Sequence, residues 1–246
     1  MKDNFSAQSE EYARYRPVYP EALLQHILAQ VPERRTAWDA GTGNGQVAVW
    51  LAQHFHQVHA TDISENQLTQ APQRSNIHYR QGAAEQTNFP ENSINLITVA
   101  QAFHWFDHDR FYPLAQRALK PTGIIALFGY ALLSISPELD KVVTHLYQTI
   151  LDGYWDEERR LVEQKYQHLP FPFQELSVPE FHYRTTWTLD QLIGYLNTWS
   201  AVQHYRNERN SNPIALIESD LKSAWGPAKT RDVTFPMFMR LGRNLK

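Results

Sequence analysis

Three glycines at alternate positions, Gly41, Gly43 and Gly45, follow the aspartate Asp39 in the run Ala37-Trp-Asp-Ala-Gly-Thr-Gly-Asn-Gly45. Glycine has no Cβ and tolerates positive φ, so this run and its Thr42 let backbone approach a bound molecule closely. Thr36–Ala40 is short and mostly apolar, as suits a buried strand, and Gln46–His54 has helical character. Such a junction turns unpaired N–H groups and a positive dipole end towards an anionic group. Asp39 changes what that group belongs to. A carboxylate there repels a diphosphate but welcomes an ammonium or a sulfonium.

S-adenosylmethionine carries both of those cations and a carboxylate, and further residues fall where its other parts need partners. Asp62 ends the second strand-like run, 21 residues after Gly41, with Ile63 and Ser64 behind it. An acid at that distance suits a ribose diol at the carboxyl edge of a parallel sheet. Gly82-Ala83-Ala84-Glu85 follows the third run, where backbone amides meet an adenine edge. In Val99-Ala-Gln-Ala-Phe-His-Trp-Phe106, Gln101 is placed beneath the methionine moiety, and His104 and Trp105 face the transferable methyl, His104 as the base for a phenol, alcohol or amine or as a positioning group for a carboxylate. Tyr12, Tyr15 and Arg16 share one helical face by their i, i+3, i+4 spacing. They form an expected flap, with Arg16 reaching the cofactor carboxylate. His104 and His108 are also spaced i, i+4, but no third ligand is apparent, and no metal is expected.

The elements that must position these residues alternate in the manner of βαβ units. Strands are predicted over Thr36–Ala40, Gln57–Thr61, Ile77–Gln81, Ile94–Val99 and Gly123–Tyr130. Helices are predicted over Gln46–His54, Glu65–Ala71 and Arg110–Leu119. Ser64 with Gln67 makes a capping-box start. Beyond Tyr130 the chain becomes helical and aromatic over Pro137–Gln167, with a strand over Phe181–Trp187. Helices over Leu189–Tyr205 and Pro213–Trp225 and a closing strand over Val233–Leu241 follow. The expected organisation is a single domain over 1–246. Its parts are a lid at 1–35, a cofactor core at 36–130, substrate-side insertions at 131–225 and a closing strand at 230–242.

Composition narrows the partners. The 246 residues carry a net charge of −3 and 20% charged residues, so no global field draws the chain to nucleic acid. There is no cysteine, which removes disulfides, thiol nucleophiles and cysteine-based zinc sites. No apolar stretch approaches the ~20 residues of a membrane helix. The start lacks the apolar region of a secretory signal, so a cytoplasmic protein without membrane partners is expected, as a monomer or weak homodimer.

Taken together, Asp39–Gly45, Asp62-Ile-Ser64 and Ala100-Gln-Ala-Phe-His-Trp105 resemble the motifs of class I S-adenosylmethionine-dependent methyltransferases of the type 11 group. Within it the chain is similar to the branch containing the trans-aconitate and cantharidin methyltransferases. The likeness extends to Tyr15–Pro20, Tyr195–Ser200 and Trp225-Gly226. It implies an α/β, Rossmann-like fold with a seven-stranded, mostly parallel sheet, an antiparallel last strand and helices on both faces. It implies S-adenosylmethionine as methyl donor, S-adenosylhomocysteine as product, and a small-molecule acceptor of anionic character. Relatives often carry an acid where Ala83 stands, so the adenine contact falls to the Ala84 backbone or to Glu85.

Two other functions share part of this pattern. A nicotinamide dehydrogenase requires Gly-x-Gly-x-x-Gly, whereas position 46 is Gln and Asp39 opposes a diphosphate. A non-catalytic sensor would keep the cofactor motifs alone. For the acceptor chamber, Tyr154, Trp155, Trp187, Tyr195, Trp199 and Tyr205 are the expected aromatic walls, with Arg184 or Arg206 holding an anion.

Overall fold

The computed structural model describes residues 15–245. The strands are β1 (Thr36–Ala40), β2 (Gln57–Asp62), β3 (Ile77–Gln81), β4 (Ile94–Ala100), β5 (Leu119–Tyr130), β6 (Gln174–Leu176), β7 (His182–Trp187) and β8 (Arg231–Arg243). Strands β1 to β5 are parallel and stand in the order β3-β2-β1-β4-β5. β8 then pairs antiparallel with β5 and with β6, which makes a path of seven strands. β7 is an eighth, also antiparallel to β8.

β5 shows how the sequence forces two covered faces. Ile124, Ala126 and Phe128 join a core with Leu23 and Ile27 of α1 (Glu21–Ala29) and Leu51 of α2 (Gln46–Leu51). The alternate residues Ile125 and Leu127 join a core with Phe111 and Ala115 of α4 (His108–Ala118). Period-2 alternation with both sets apolar is what a central parallel strand requires. Each fully buried Ile, Leu or Phe contributes about 1.5–3 kcal/mol through apolar area removed from water. The intervening α3 (Glu65–Thr69) starts where Ser64 accepts the backbone N–H of Gln67.

A third core lies beyond the carboxyl ends of the parallel strands. β8 is long enough to do two jobs. Met237–Arg243 pairs with β5, whereas Arg231–Pro236 runs on past Tyr130 and carries β7. Val233 and Phe235 on that extension pack with α5 (Pro137–His145), α7 (Leu189–Asn197), α8 (Ser200–Arg209) and α9 (Glu218–Trp225). The short α6 (Arg159–Glu163) precedes β6.

Several boundaries differ from the sequence expectation. The predicted helix over Leu189–Tyr205 is two helices, because α7 ends at Thr198, whose hydroxyl bonds back to the Tyr195 carbonyl. Its start is a full capping box between Thr188 and Gln191. β5 begins at Leu119, four residues before the predicted strand start at Gly123. Asn244 holds that stretch, donating from Nδ2 to the carbonyls of Gln116, Leu119 and Lys120. β6 has no counterpart among the predicted strands: three residues paired only to β8 leave no periodic signal.

Candidate active site

Local backbone geometry builds the first cleft. Gly41, Gly43 and Gly45 have φ of +69°, +56° and +81°. A Cβ on Gly41 would lie 2.6 Å from the Ala102 Cβ, and one on Gly45 would lie 2.5 Å from the Tyr79 hydroxyl. Those two glycines therefore serve packing as well as conformation. Gly43 faces open space, with only Gln67 Oε1 near, at 3.8 Å. The loop is pinned from β2: Gly41 and Thr42 donate to the Thr61 carbonyl, and Gly43 donates to Asp62 Oδ2 at 2.8 Å. The other Asp62 oxygen accepts the Ser64 N–H at 2.9 Å.

Asp39 is buried beneath this loop. Its two oxygens accept from the hydroxyls of Thr42, at 2.6 Å, and Thr98, at 2.7 Å. Burial raises its pKa to about 6 against those hydrogen bonds, and the charge of Asp62 adds to the rise. Asp39 and Asp62 line one cleft with Arg16, Thr42, Gly43 and Ile63, and the cleft together with the solvent it opens to holds about 970 Å³ of empty space.

Gln101 sits at the carboxyl edge of β4 in a left-handed conformation, φ +53°, rare for a residue with a side chain. Its N–H donates to the Phe128 carbonyl and its Oε1 accepts the Tyr130 N–H at 2.8 Å. Gly129 makes room: a Cβ there would fall 2.1 Å from Gln101 Oε1 and 2.7 Å from the Phe238 ring. Overpacking of this kind costs about 1–3 kcal/mol. Gly129→Ala is expected to lower Tm by roughly 3–10 °C. A melting curve checks this, and an unchanged midpoint would contradict it.

Arg16 ties three elements together. Its Nη1 donates to the Tyr130 hydroxyl at 2.8 Å, its Nη2 to the Thr198 carbonyl at 3.0 Å, and its guanidinium lies over the Tyr195 ring. The ring of Tyr15 packs on bare backbone at Gly194, where a Cβ would come within 2.6 Å of it. Tyr12 lies outside the described residues.

The helical turn Phe103–Trp105 carries His104 and Trp105. His104 is 6% exposed, and its Nδ1 shares a 3.0 Å hydrogen bond with the Tyr166 hydroxyl. Burial, helped by the positive charge of Arg159, depresses its pKa to about 3. It is therefore a neutral imidazole across the physiological range. His108 bonds instead to the Phe103 carbonyl through Nε2 and stacks on the Phe103 ring. Among the described residues no three histidines, aspartates or glutamates are grouped to hold a metal.

A second chamber adjoins the first and shares Arg16, Gln101 and Trp105 with it. Its remaining walls include His104, Trp155, Arg159, Tyr195 and Trp199. Of the six aromatic residues expected there, Trp155, Tyr195 and Trp199 line it, and Tyr154, Trp187 and Tyr205 pack elsewhere in the third core. Neither Arg184 nor Arg206 lines it: Arg184 is exposed on β7, and Arg206 bonds to Asn197. The cation found there is Arg159, which the sequence offers only as part of a charged pair. Gly45, Ala83, Ala84 and Glu85 do not line the first cleft. Ala84 is buried, and Glu85 Oε2 is shielded with no hydrogen-bond partner among the described residues.

Comparison with known proteins decides the family. A methyltransferase-domain family matches residues 38–127. A Dictyostelium discoideum protein that carries the name of a methyltransferase is 32% identical over 98% of this chain and 95% of its own length. The chain belongs to the methyltransferases. A solved structure of an Anaeromyxobacter dehalogenans protein, named as a type II methyltransferase, is 40% identical, with a TM-score of 0.86 over 94% of this chain and 99% of that one. A Haemonchus contortus phosphoethanolamine N-methyltransferase, solved with S-adenosyl-L-methionine, shares the fold with a TM-score of 0.50 at 17% identity. The match spans 98% of this chain and 57% of that one. This methyltransferase thus has the Rossmann-like architecture of its neighbours. No helix among its described residues is long and apolar enough to cross a membrane.

Proposed function

We propose that this methyltransferase moves the methyl group of S-adenosylmethionine to a small-molecule acceptor by in-line displacement, as an O-, N- or carboxyl-methyltransferase. The observation that carries this reading is the junction of the two chambers at Gln101 and Trp105. The donor supplies an activated methyl on a sulfonium. The protein has to hold it, align an acceptor and exclude water.

The residues of the first cleft fit the donor's parts. Asp62 lies at the cleft edge, where a carboxylate suits a ribose diol. Asp39 places negative charge beneath the loop for the ammonium, and Arg16 offers its guanidinium to the carboxylate. His104 and Trp105 position the acceptor, and the depressed pKa of His104 makes it a poor proton acceptor. In this reading the whole chain is one methyltransferase domain of the trans-aconitate and cantharidin branch. It works in the cytoplasm as a monomer or weak homodimer. The motif Ala100–Trp105 supports the branch, and the absence of cysteine is consistent with the compartment.

The test is direct. Calorimetry is expected to show one donor bound per chain. A metabolite extract incubated with trideuteromethyl donor is expected to yield a labelled small molecule by mass spectrometry. Failure of the full chain to bind donor at millimolar concentration would refute the proposal.

A further inference from the structure

We infer that the chain holds a further ligand site on the open face of β2 and β3, which binds a chain of phosphates, free or as the tail of a nucleotide. Its lining shares no residue with either chamber described above.

The face is open because one crossover lacks a helix. β1 reaches β2 through α2, β2 reaches β3 through α3, and β4 reaches β5 through α4. The link from β3 back to β4, residues 82–93, holds only a short helical turn at Ala84–Gln86. Val58, Ala60 and Ile77 are buried on one side of the sheet with residues of α1 and α2. The alternate residues Gln57, His59, His78 and Arg80 line a groove on the other side. A parallel strand covered on both faces carries apolar residues in both sets, whereas this set is polar. Phe89 forms the wall, with its ring centroid 4.9 Å from Trp38 and 5.1 Å from His59. Beside it Asn88 accepts from Arg117 at 2.8 Å, and Ser93 donates to the Pro90 carbonyl, so the wall is fixed.

The donors along this groove are unspent. His59 stands in register with His78, with rings 5.7 Å apart, and Thr61 stands in register with Arg80. Among the described residues His59, His78 and Arg80 have no hydrogen-bond or ion-pair partner. Burial, with His78 beside it, holds the His59 pKa below the ordinary imidazole value, so it offers one N–H as a neutral ring. At its other end the groove runs on through Thr36, Gln57 and Ser93 to Arg35, His56 and Lys120. No carboxylate lines either part among the described residues, although the whole chain carries a net charge of −3. Glu33 contacts that end, 2.7 Å from Lys120 Nζ and 3.9 Å from Arg35 Nε, one carboxylate against two cations.

Cations therefore stand at both ends of the groove, with imidazoles between them. The five steps from His56 to Thr61 span roughly 16 Å at ~3.3 Å per residue. A compact anion reaches one end only. A chain of phosphates bears charge and acceptor oxygens on every unit, and it meets arginine, imidazole and lysine in turn. The groove together with the solvent it opens to holds about 1200 Å³ of empty space, room enough for such a chain.

The test is calorimetric titration of the full chain at about pH 7 and fixed ionic strength, without divalent metal. Tripolyphosphate is expected to bind once per chain, and orthophosphate and citrate at least about tenfold more weakly. Arg80→Gln at one end and Arg35→Gln at the other are each expected to weaken tripolyphosphate about tenfold, the scale of one charge-assisted hydrogen bond. Both side chains are exposed, so the melting temperature is expected to stay unchanged. Arg184→Gln, which removes an exposed charge on β7, is expected to leave affinity within about twofold. The part of ATP affinity that Arg80→Gln removes separates the two sources. A larger part than for tripolyphosphate marks a nucleotide tail, and an equal or smaller part marks a free chain. No binding of tripolyphosphate at millimolar concentration overturns the inference. So does citrate bound as tightly, or a loss in Arg184→Gln as large as that in Arg80→Gln.

Discussion

Asp62→Ala is expected to raise the donor dissociation constant at least about 100-fold, the largest single loss at this site. The carboxylate does two things at once. It accepts the N–H groups of Gly43 and Ser64, which holds the glycine loop against the end of β2. In the proposed function it also receives the ribose hydroxyls. Hydrogen bonds to a charged group contribute about 1.5–3 kcal/mol each, so losing two to the ligand costs about 3–6 kcal/mol. That range corresponds to roughly a hundredfold or more in affinity. The fold should survive, because Asp62 is only half-buried and water can reach the N–H groups it leaves. Calorimetric titration with S-adenosylhomocysteine, beside a melting curve, gives the comparison. A dissociation constant within fivefold of the unmutated protein would remove Asp62 from the binding machinery.

The second large effect is a pH dependence set by Asp39. Its folded pKa is raised from 3.8 to about 6, so the folded chain holds a proton there that the unfolded chain has already lost. Between those two values the folded state binds more protons, and stability from this group is present below about pH 4 and lost as pH rises through about 6. A tenfold change in proton affinity corresponds to about 1.4 kcal/mol, so keeping Asp39 ionised at neutral pH costs the free protein a few kcal/mol. A cationic ligand reverses the preference, because it favours the carboxylate. Donor affinity should therefore be level above about pH 7 and fall up to about tenfold per pH unit below pH 6. Asp39→Asn should remove that slope and bind donor weakly at every pH. It should melt no lower than the unmutated protein at about pH 7.5, since the hydroxyls of Thr42 and Thr98 can rotate to serve an amide. A variant that kept the pH slope would show that another group carries it.

The first cleft was legible because its parts are local in sequence. Positive φ at Gly41, Gly43 and Gly45 follows from residue type, and an acid at the end of β2 follows from strand length and register. The capping pairs Ser64–Gln67 and Thr188–Gln191 set helix starts over three residues. Roles were less legible than positions. Asp39 reads as a bare charge beside a loop, yet it is buried between two threonine hydroxyls. His104 reads as a base with a pKa suited to proton transfer, yet burial against Tyr166 makes it a neutral imidazole. Tyr166 itself gives no signal in sequence. It reaches the core through left-handed backbone at Lys165 and Tyr166, with φ of +53° and +59°.

What the sequence by itself determined is the kind of fold and the glycine loop, because strand periodicity, glycine spacing and capping act over a few neighbouring residues. What only the tertiary structure decided is the second chamber. Arg16, Gln101, Trp155, Arg159, Tyr195 and Trp199 come from segments separated by up to 183 positions. They meet because β8 runs on past β5 and gives the late helices an apolar surface on which to pack. No short-range pattern records which face of α6 that packing turns inward. Arg159 therefore looks like surface charge in the sequence and becomes, in the folded chain, a fixed guanidinium beside the first cleft.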